Sequence, residues 1–210
     1  MNFVAMVEAP RSTVAIREAF GPLTVTRYQM VRIDVVDLHG QFTHLERRAL
    51  RDIGVECDLI DNETPPEEIE ADGLVLSGGP DIKEIGRCGE YLELDIPVLG
   101  ICLGMQVMAT ELGGTVGPGD YGGYADVTVE IVDASDPVVG KLAPETQVWA
   151  SHADEVKTVP DGFEITARSS VCDIEAMGDR SRDLYGVQWH PEVAHTEQGE
   201  VVLEGFAARC

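Results

Sequence analysis

The segment 97–108, PVLGICLGMQVM, sets one cysteine, Cys102, between Gly100 and Gly104, after an apolar run and before a helical stretch. G-x-C-x-G between a buried strand and a helix has the form of a nucleophile elbow. Glycines let the chain turn sharply and let neighbouring backbone come close. The turn places the side chain at a helix N-terminus, whose positive end favours thiolate over thiol. An unperturbed thiol, with a pKa of about 8.5, is mostly protonated at neutral pH, so an attacking cysteine also needs a base. The competing reading is a small buried residue packed by glycines, since free cysteine is among the most buried residue types.

A base is available in YGVQWHPEV, residues 185–193, where an apolar strand ends in His190-Pro191-Glu192. Proline holds the preceding residue extended, and in extended chain positions i and i+2 project to one side. His190 and Glu192 then face one site, the carboxylate orienting the ring and stabilising imidazolium. An acyl-transfer site also needs donors for an oxyanion. The amide after the nucleophile, Leu103, is one candidate, and the turn amides of Gly78 and Gly79 in SGGP are the others. A plain strand-ending turn is the alternative for SGGP. It is not a Walker loop, which needs a longer spacing and a GK[ST] ending.

These residues require strands that end at one rim. The first strand begins at Met30 with MVRIDVVDL, and a helix follows in THLERRALRDIG. There Thr43 and Glu46 form a capping-box pattern, Leu45, Ala49, Leu50 and Ile53 line one face, and Gly54 stops the helix. VECDLI and GLVLSGGP are further strands, a helix is expected around 82–94, and PVLGIC is a wholly apolar strand. Strands alternating with helices imply βαβ units and a parallel sheet with buried central strands. Active sites in such sheets sit at the carboxyl ends of strands, where SGGP and GICLG both fall. The second half (GGYADVTVEIV, TQVWASH, FEITARS, CDIEAMG, LYGVQWH) reads as successive, partly antiparallel strands, closed by a helix in EQGEVVLEGFAAR. The fold class is therefore α/β, with an open, mostly parallel sheet flanked by helices. Residues 1–29 have weak periodicity and read as an N-terminal extension, with Met30 the expected true start and 30–210 the domain; an extra strand or helix on the domain edge is the alternative.

The chain has 210 residues, with 38 acidic against 15 basic side chains and a net charge of −23. Such a surface repels phosphate backbones and anionic lipid, so nucleic acid and membrane surfaces are poor partners. An ordered acidic surface suits a salt-rich cytoplasm, where self-repulsion is screened. The cysteines at 57, 88, 102, 172 and 210 are scattered without a CxxC, which argues against a disulfide scaffold or zinc ribbon and for a reduced, cytoplasmic protein. His39 and His44 have no companions at ligand spacing, so no metal is assigned.

GICLGMQ, GVQWHPE and LSGGP resemble the class I (triad) glutamine amidotransferase family, with the cysteine motif ahead of His-Pro-Glu, and the likeness runs from Met30 to the C-terminus. The resemblance implies the flavodoxin-like open α/β sheet of that family. It implies that Cys102 attacks the side-chain amide of L-glutamine, that His190 protonates the leaving ammonia and that Glu192 positions His190. Gly79 and Leu103 match the oxyanion positions, while Gly78 and Gln106 match substrate-contacting ones. DLHGQFTHLERRALRDIGV, VWASHADEV and HPEVAHTEQG look like the glutamine-hydrolysing part of GMP synthases, above all the separate archaeal subunits. The resemblance then implies a heterodimer or higher complex with an ATP-pyrophosphatase subunit that uses the ammonia to convert XMP to GMP. No cofactor is expected on this chain; ATP and Mg2+ belong to that partner, whose SGGxDS loop is missing here. GDYGGYADV and Ala153 in SHADEV depart from the family pattern, which bears on partner contacts. His152 and His195 fall within family motifs, as docking-face or plain surface residues. The other readings are a glutaminase subunit of another synthetase, a stand-alone γ-glutamyl hydrolase and a catalytically silent regulatory module.

Overall fold

Short, wholly apolar segments dictate the centre of the molecule, because strands covered on both faces need no polar alternation. In the computed structural model, residues 10–18, 21–28 and 31–210 are described, with side chains for 31–119 and 126–210. Met30, the expected start, lies outside them. Pro10–Glu18 (β1) and Gly21–Tyr28 (β2) pair antiparallel as a two-stranded ribbon, a compact unit distinct from the one that begins at Arg32.

The second unit runs Ile33–Asp37 (β3), Thr43–Asp52 (α1), Leu59–Asp61 (β4), Gly73–Leu76 (β5), Cys88–Tyr91 (α2), Val98–Ile101 (β6) and Leu103–Glu111 (α3). It continues with Thr115–Ile131 (β7), Glu145–Thr158 (β8), Glu164–Ser169 (β9), Ala176–Asp179 (β10), Leu184–Val187 (β11) and Gly199–Ala207 (α4). Among the described residues nine strands form one sheet in the order β4-β3-β5-β6-β11-β10-β9-β7-β8. From β4 to β11 neighbours are parallel; from β11 to β8 they are antiparallel. The α/β class with a parallel centre and antiparallel additions is as the alternation of elements dictates.

β5, β6 and β11 are buried at every position, and α3 is buried from Leu103 to Ala109, in keeping with a sequence that has no polar stripe. Each fully buried Leu, Ile or Val contributes roughly 1.5–3 kcal/mol, so this layer holds the rim in place. Three expectations are corrected. The helix expected over 82–94 is a single turn, Cys88–Tyr91, in a run of turns. β11 ends at Val187, so His190 lies on the connection beyond the strand. The capping box is not formed: Phe42 is the N-cap, without a side-chain bond, and both Thr43 and Glu46 turn inward. Gly54 does end α1, at φ +90°, the left-handed conformation glycine adopts without strain.

Candidate active site

Cys102 is where β6 becomes α3. Its amide still donates to the Val187 carbonyl of β11 at 2.8 Å, so the turn begins at the sheet itself. Its backbone has φ 51° and ψ −104°, a sparsely populated conformation of the kind functional sites hold at a cost of about 1–3 kcal/mol. The two flanking glycines make that geometry possible by close approach. A Cβ on Gly100 would lie 2.5 Å from the Met105 nitrogen, and one on Gly104 would strike the Leu76 carbonyl. Strand and helix can therefore meet only where both side chains are absent.

Cys102 opens onto a cavity of about 320 Å³ lined by His39, Phe42, Gly78, Gly79, Ser151 and His190, among others. Its sulfur lies 3.9 Å from the Ser151 carbonyl oxygen of β8. His190 is pinned through its backbone: its amide donates to the Trp149 carbonyl at 3.2 Å, and its own carbonyl accepts the Thr196 hydroxyl at 2.6 Å. Its Nδ1 and Glu192 Oε1 are 2.7 Å apart, which leaves Nε2 as the ring nitrogen for Cys102. The Phe42 ring meets the imidazole edge-on, with centroids 5.1 Å apart, and fixes its plane. Burial works against a charge on His190, but hydrogen bonding to Cys102 and Glu192 and their charges outweigh it and lift its pKa to about 10. The ring therefore carries a proton at neutral pH, beside the sulfur.

Gly78 and Gly79 lie on the cavity wall, the former so close to His190 that an added Cβ would sit 3.0 Å from Cε1. Leu103 follows Cys102 as the first residue of α3, whose first-turn amides have no intrahelical acceptor. Gln106 is not on the cavity wall: its amide nitrogen donates to the Asp154 carbonyl at 2.7 Å and to Gln188 at 3.2 Å, within the interior. Cys102, His190, Glu192, Gly78 and Gly79 are thus brought together, with the Leu103 backbone adjoining and the Gln106 side chain turned elsewhere. His152 bonds the Asp154 carbonyl, and burial lowers its pKa; His195 packs against Trp149.

Motif spacing alone does not single out Glu46, Phe42, His39 or Ser151 as site residues. Glu46 is fully buried on α1, and its Oε1 accepts the Gly78 amide at 3.1 Å. A signal for it exists: Thr43, Glu46 and Leu50, at spacings of three and four, form the buried line of the helix. One ligand atom each from Glu46, His190 and Glu192 lie within 4.8 Å of one another, the one group among the described residues with donors for a metal ion.

A model of the family described as "Glutamine amidotransferase class-I" matches residues 34–210. The chain belongs to this family. Among amidotransferase relatives, one from Natronomonas pharaonis bears the name of a glutamine-hydrolyzing GMP synthase subunit; it is 74% identical over 181 residues, 86% of this chain and 98% of the relative. Its namesake from Methanosarcina mazei is 51% identical over 184 residues, 86% of this chain and 97% of the relative. A crystal structure of a Thermoplasma acidophilum protein, provisionally assigned to the same GMP synthase subunit, has a TM-score of 0.83 at 36% identity, covering 88% of this chain and 96% of that one. A glutamine amidotransferase from Thermotoga maritima shares the fold, with a TM-score of 0.67 at 22% identity over 79% of this chain and 78% of that one.

Proposed function

We propose that this chain is the glutamine-hydrolysing subunit of a GMP synthase. The observation that carries glutamine hydrolysis is the strained Cys102 at the mouth of a cavity, with His190 held over it by Glu192. The acceptor nucleotide rests on the 74% identity that spans nearly the whole of a relative bearing that name.

In this reading Cys102 Sγ, as thiolate, adds to the side-chain amide carbon of glutamine. The oxyanion that forms is met by the amides of Gly79 and Leu103, donors already fixed by the turn after β5 and the start of α3. His190 gives its proton to the departing nitrogen, ammonia leaves, and a γ-glutamyl thioester remains on Cys102. The neutral ring then takes a proton from water, which attacks the thioester and releases glutamate. Glu192 keeps the ring oriented throughout. Gly78 lies on the wall beside His190, while the Gln106 side chain, engaged by Asp154 and Gln188 away from the cavity, is given no part in the chemistry. Ammonia passes to an ATP-pyrophosphatase partner, which carries ATP and Mg2+ and aminates XMP. Residues 30–210 form the amidotransferase domain and 1–29 lie outside it, supported by the division of the molecule at Arg32. The acidic surface is read as an adaptation to a salt-rich cytoplasm.

The test is Cys102→Ala in the complex with the synthetase partner. Glutamine-dependent GMP formation is expected to disappear while formation from added ammonium persists. Equal loss of both would overturn the assignment, as would wild-type chain that releases no ammonia with the partner present.

A further inference from the structure

Glu46 and Glu192 are both buried acids, and neither is fully paired. Glu192 Oε1 is taken by His190, and its Oε2 has no hydrogen-bond partner; Glu46 Oε1 is taken by the Gly78 amide, and its Oε2 has none either. Their carboxyls approach within 4.8 Å around the imidazole. Two carboxylates are acceptors only and cannot bond each other, whereas one acid and one carboxylate can. A buried polar atom left unpaired is destabilising, and a second uncompensated charge more so.

We propose that Glu46 is a positioning residue of the glutaminase site, sharing one proton with Glu192 and so joining the His190 side of the cavity to the Gly78–Gly79 side. As a neutral acid, Glu46 offers one donor, toward Glu192, and one carbonyl acceptor, toward the Gly78 amide. Those are the two bonds its surroundings ask for. Gly78 immediately precedes Gly79, the oxyanion donor proposed above, so the same side chain sets the base's orienter and the turn that meets the substrate oxygen. The charged groups facing Glu46 are Glu192 and His190 from the connection after β11 and Asp37 at the end of β3; the turn after β5 contributes the neutral Gly78 amide. Burial above all, and then the Glu192 charge, raise the Glu46 acid well above the ordinary carboxyl range; the Gly78 amide and His190 oppose this without reversing it. Among the described residues, the cation facing Glu46 is the protonated His190, already matched by Glu192. A proton, rather than a second counter-ion, fills the gap.

The inference rests on glutamine hydrolysis at Cys102, so its test includes a readout that needs no turnover. The infrared difference spectrum of the full chain at neutral pH, wild type minus Glu46→Gln, is expected to show the carbonyl band of a protonated carboxylic acid. In glutamine hydrolysis with the synthetase partner, Glu46→Gln, which keeps an acceptor and a donor, retains kcat within about threefold. Glu46→Leu keeps neither and loses roughly ten- to a hundredfold in kcat, with KM within about twofold. Absence of the acid band overturns the proposal, and so does a Glu46→Leu enzyme with wild-type kcat. A stoichiometric divalent cation in the purified protein, lost in Glu46→Gln, overturns it in favour of a metal. If Glu46→Leu does not fold, the band and the Glu46→Gln rate decide. Wild-type chain without glutaminase activity but with the band would sink the proposed function and leave the shared proton standing.

Discussion

His190 sits between two demands. Buried imidazole resists a charge, yet the sulfur on one side and Glu192 on the other hold its proton up to about pH 10. A general acid must keep its proton until the leaving group needs it. kcat/KM for glutamine is therefore expected to hold through the neutral range and to fall as pH approaches 10. Glu192→Gln removes the negative charge and leaves at most a neutral hydrogen bond to Nδ1, so the falling limb moves to lower pH and the rate drops by roughly tenfold to a thousandfold. A pH–rate profile of both proteins checks this; an unmoved limb in Glu192→Gln would mean that Glu192 does not set the proton on His190. Glu175 is the second residue with a titration worth following. Burial, with the charge of Glu155 adding and Ser169 opposing, raises its pKa to about 7. A raised acid binds its proton more tightly folded than unfolded, so its contribution is complete below pH about 4.5 and is lost as pH rises to about 7. Over that window the wild type is expected to lose about 3 kcal/mol through this group, and Glu175→Gln to flatten the slope in denaturant melts.

Strand β6 and helix α3 depend on two missing side chains. Gly104 lies against the Leu76 backbone of β5 and Gly100 against the first turn of α3, so neither neighbour can yield without moving the sheet or the helix. Gly104→Ala is expected to cost about 3 kcal/mol and to lower activity, because α3 must retreat and carry Cys102 with it. Gly54→Ala is the contrast. At φ +90° with open space around it, it carries only the left-handed strain of a helix end, about 1 kcal/mol, and leaves activity intact. Equal effects in thermal melts and glutaminase assays would show that the elbow is not set by close packing.

Charge belongs to the molecule as a whole. With a net charge of −23 on 210 residues, self-repulsion opposes the compact state, and added salt screens it within about 3 Å at molar concentration. The melting temperature is expected to rise steadily from low to molar KCl; no gain would remove the salt-adapted reading of the surface. Among the described residues no helix is long and apolar enough to cross a membrane.

The sequence by itself determined the order of strands and helices, the α/β class and the elbow at Cys102, because these follow from local periodicity and from glycine's small size; it also placed His190 and Glu192 two residues apart, but they meet through a turn beyond β11 rather than along extended chain. Its limits lay where neighbours in space, not in sequence, choose. Glu46 fits a helix cap in one dimension, but the Gly78 amide, 32 positions away, draws it inward. Gln106 looks like a substrate contact until Asp154 and Gln188 engage its amide from the far half of the chain. The extent of α2 and the end of β11 were likewise decided by packing, since short helices and strand ends draw more of their stability from tertiary contacts than from their own residues.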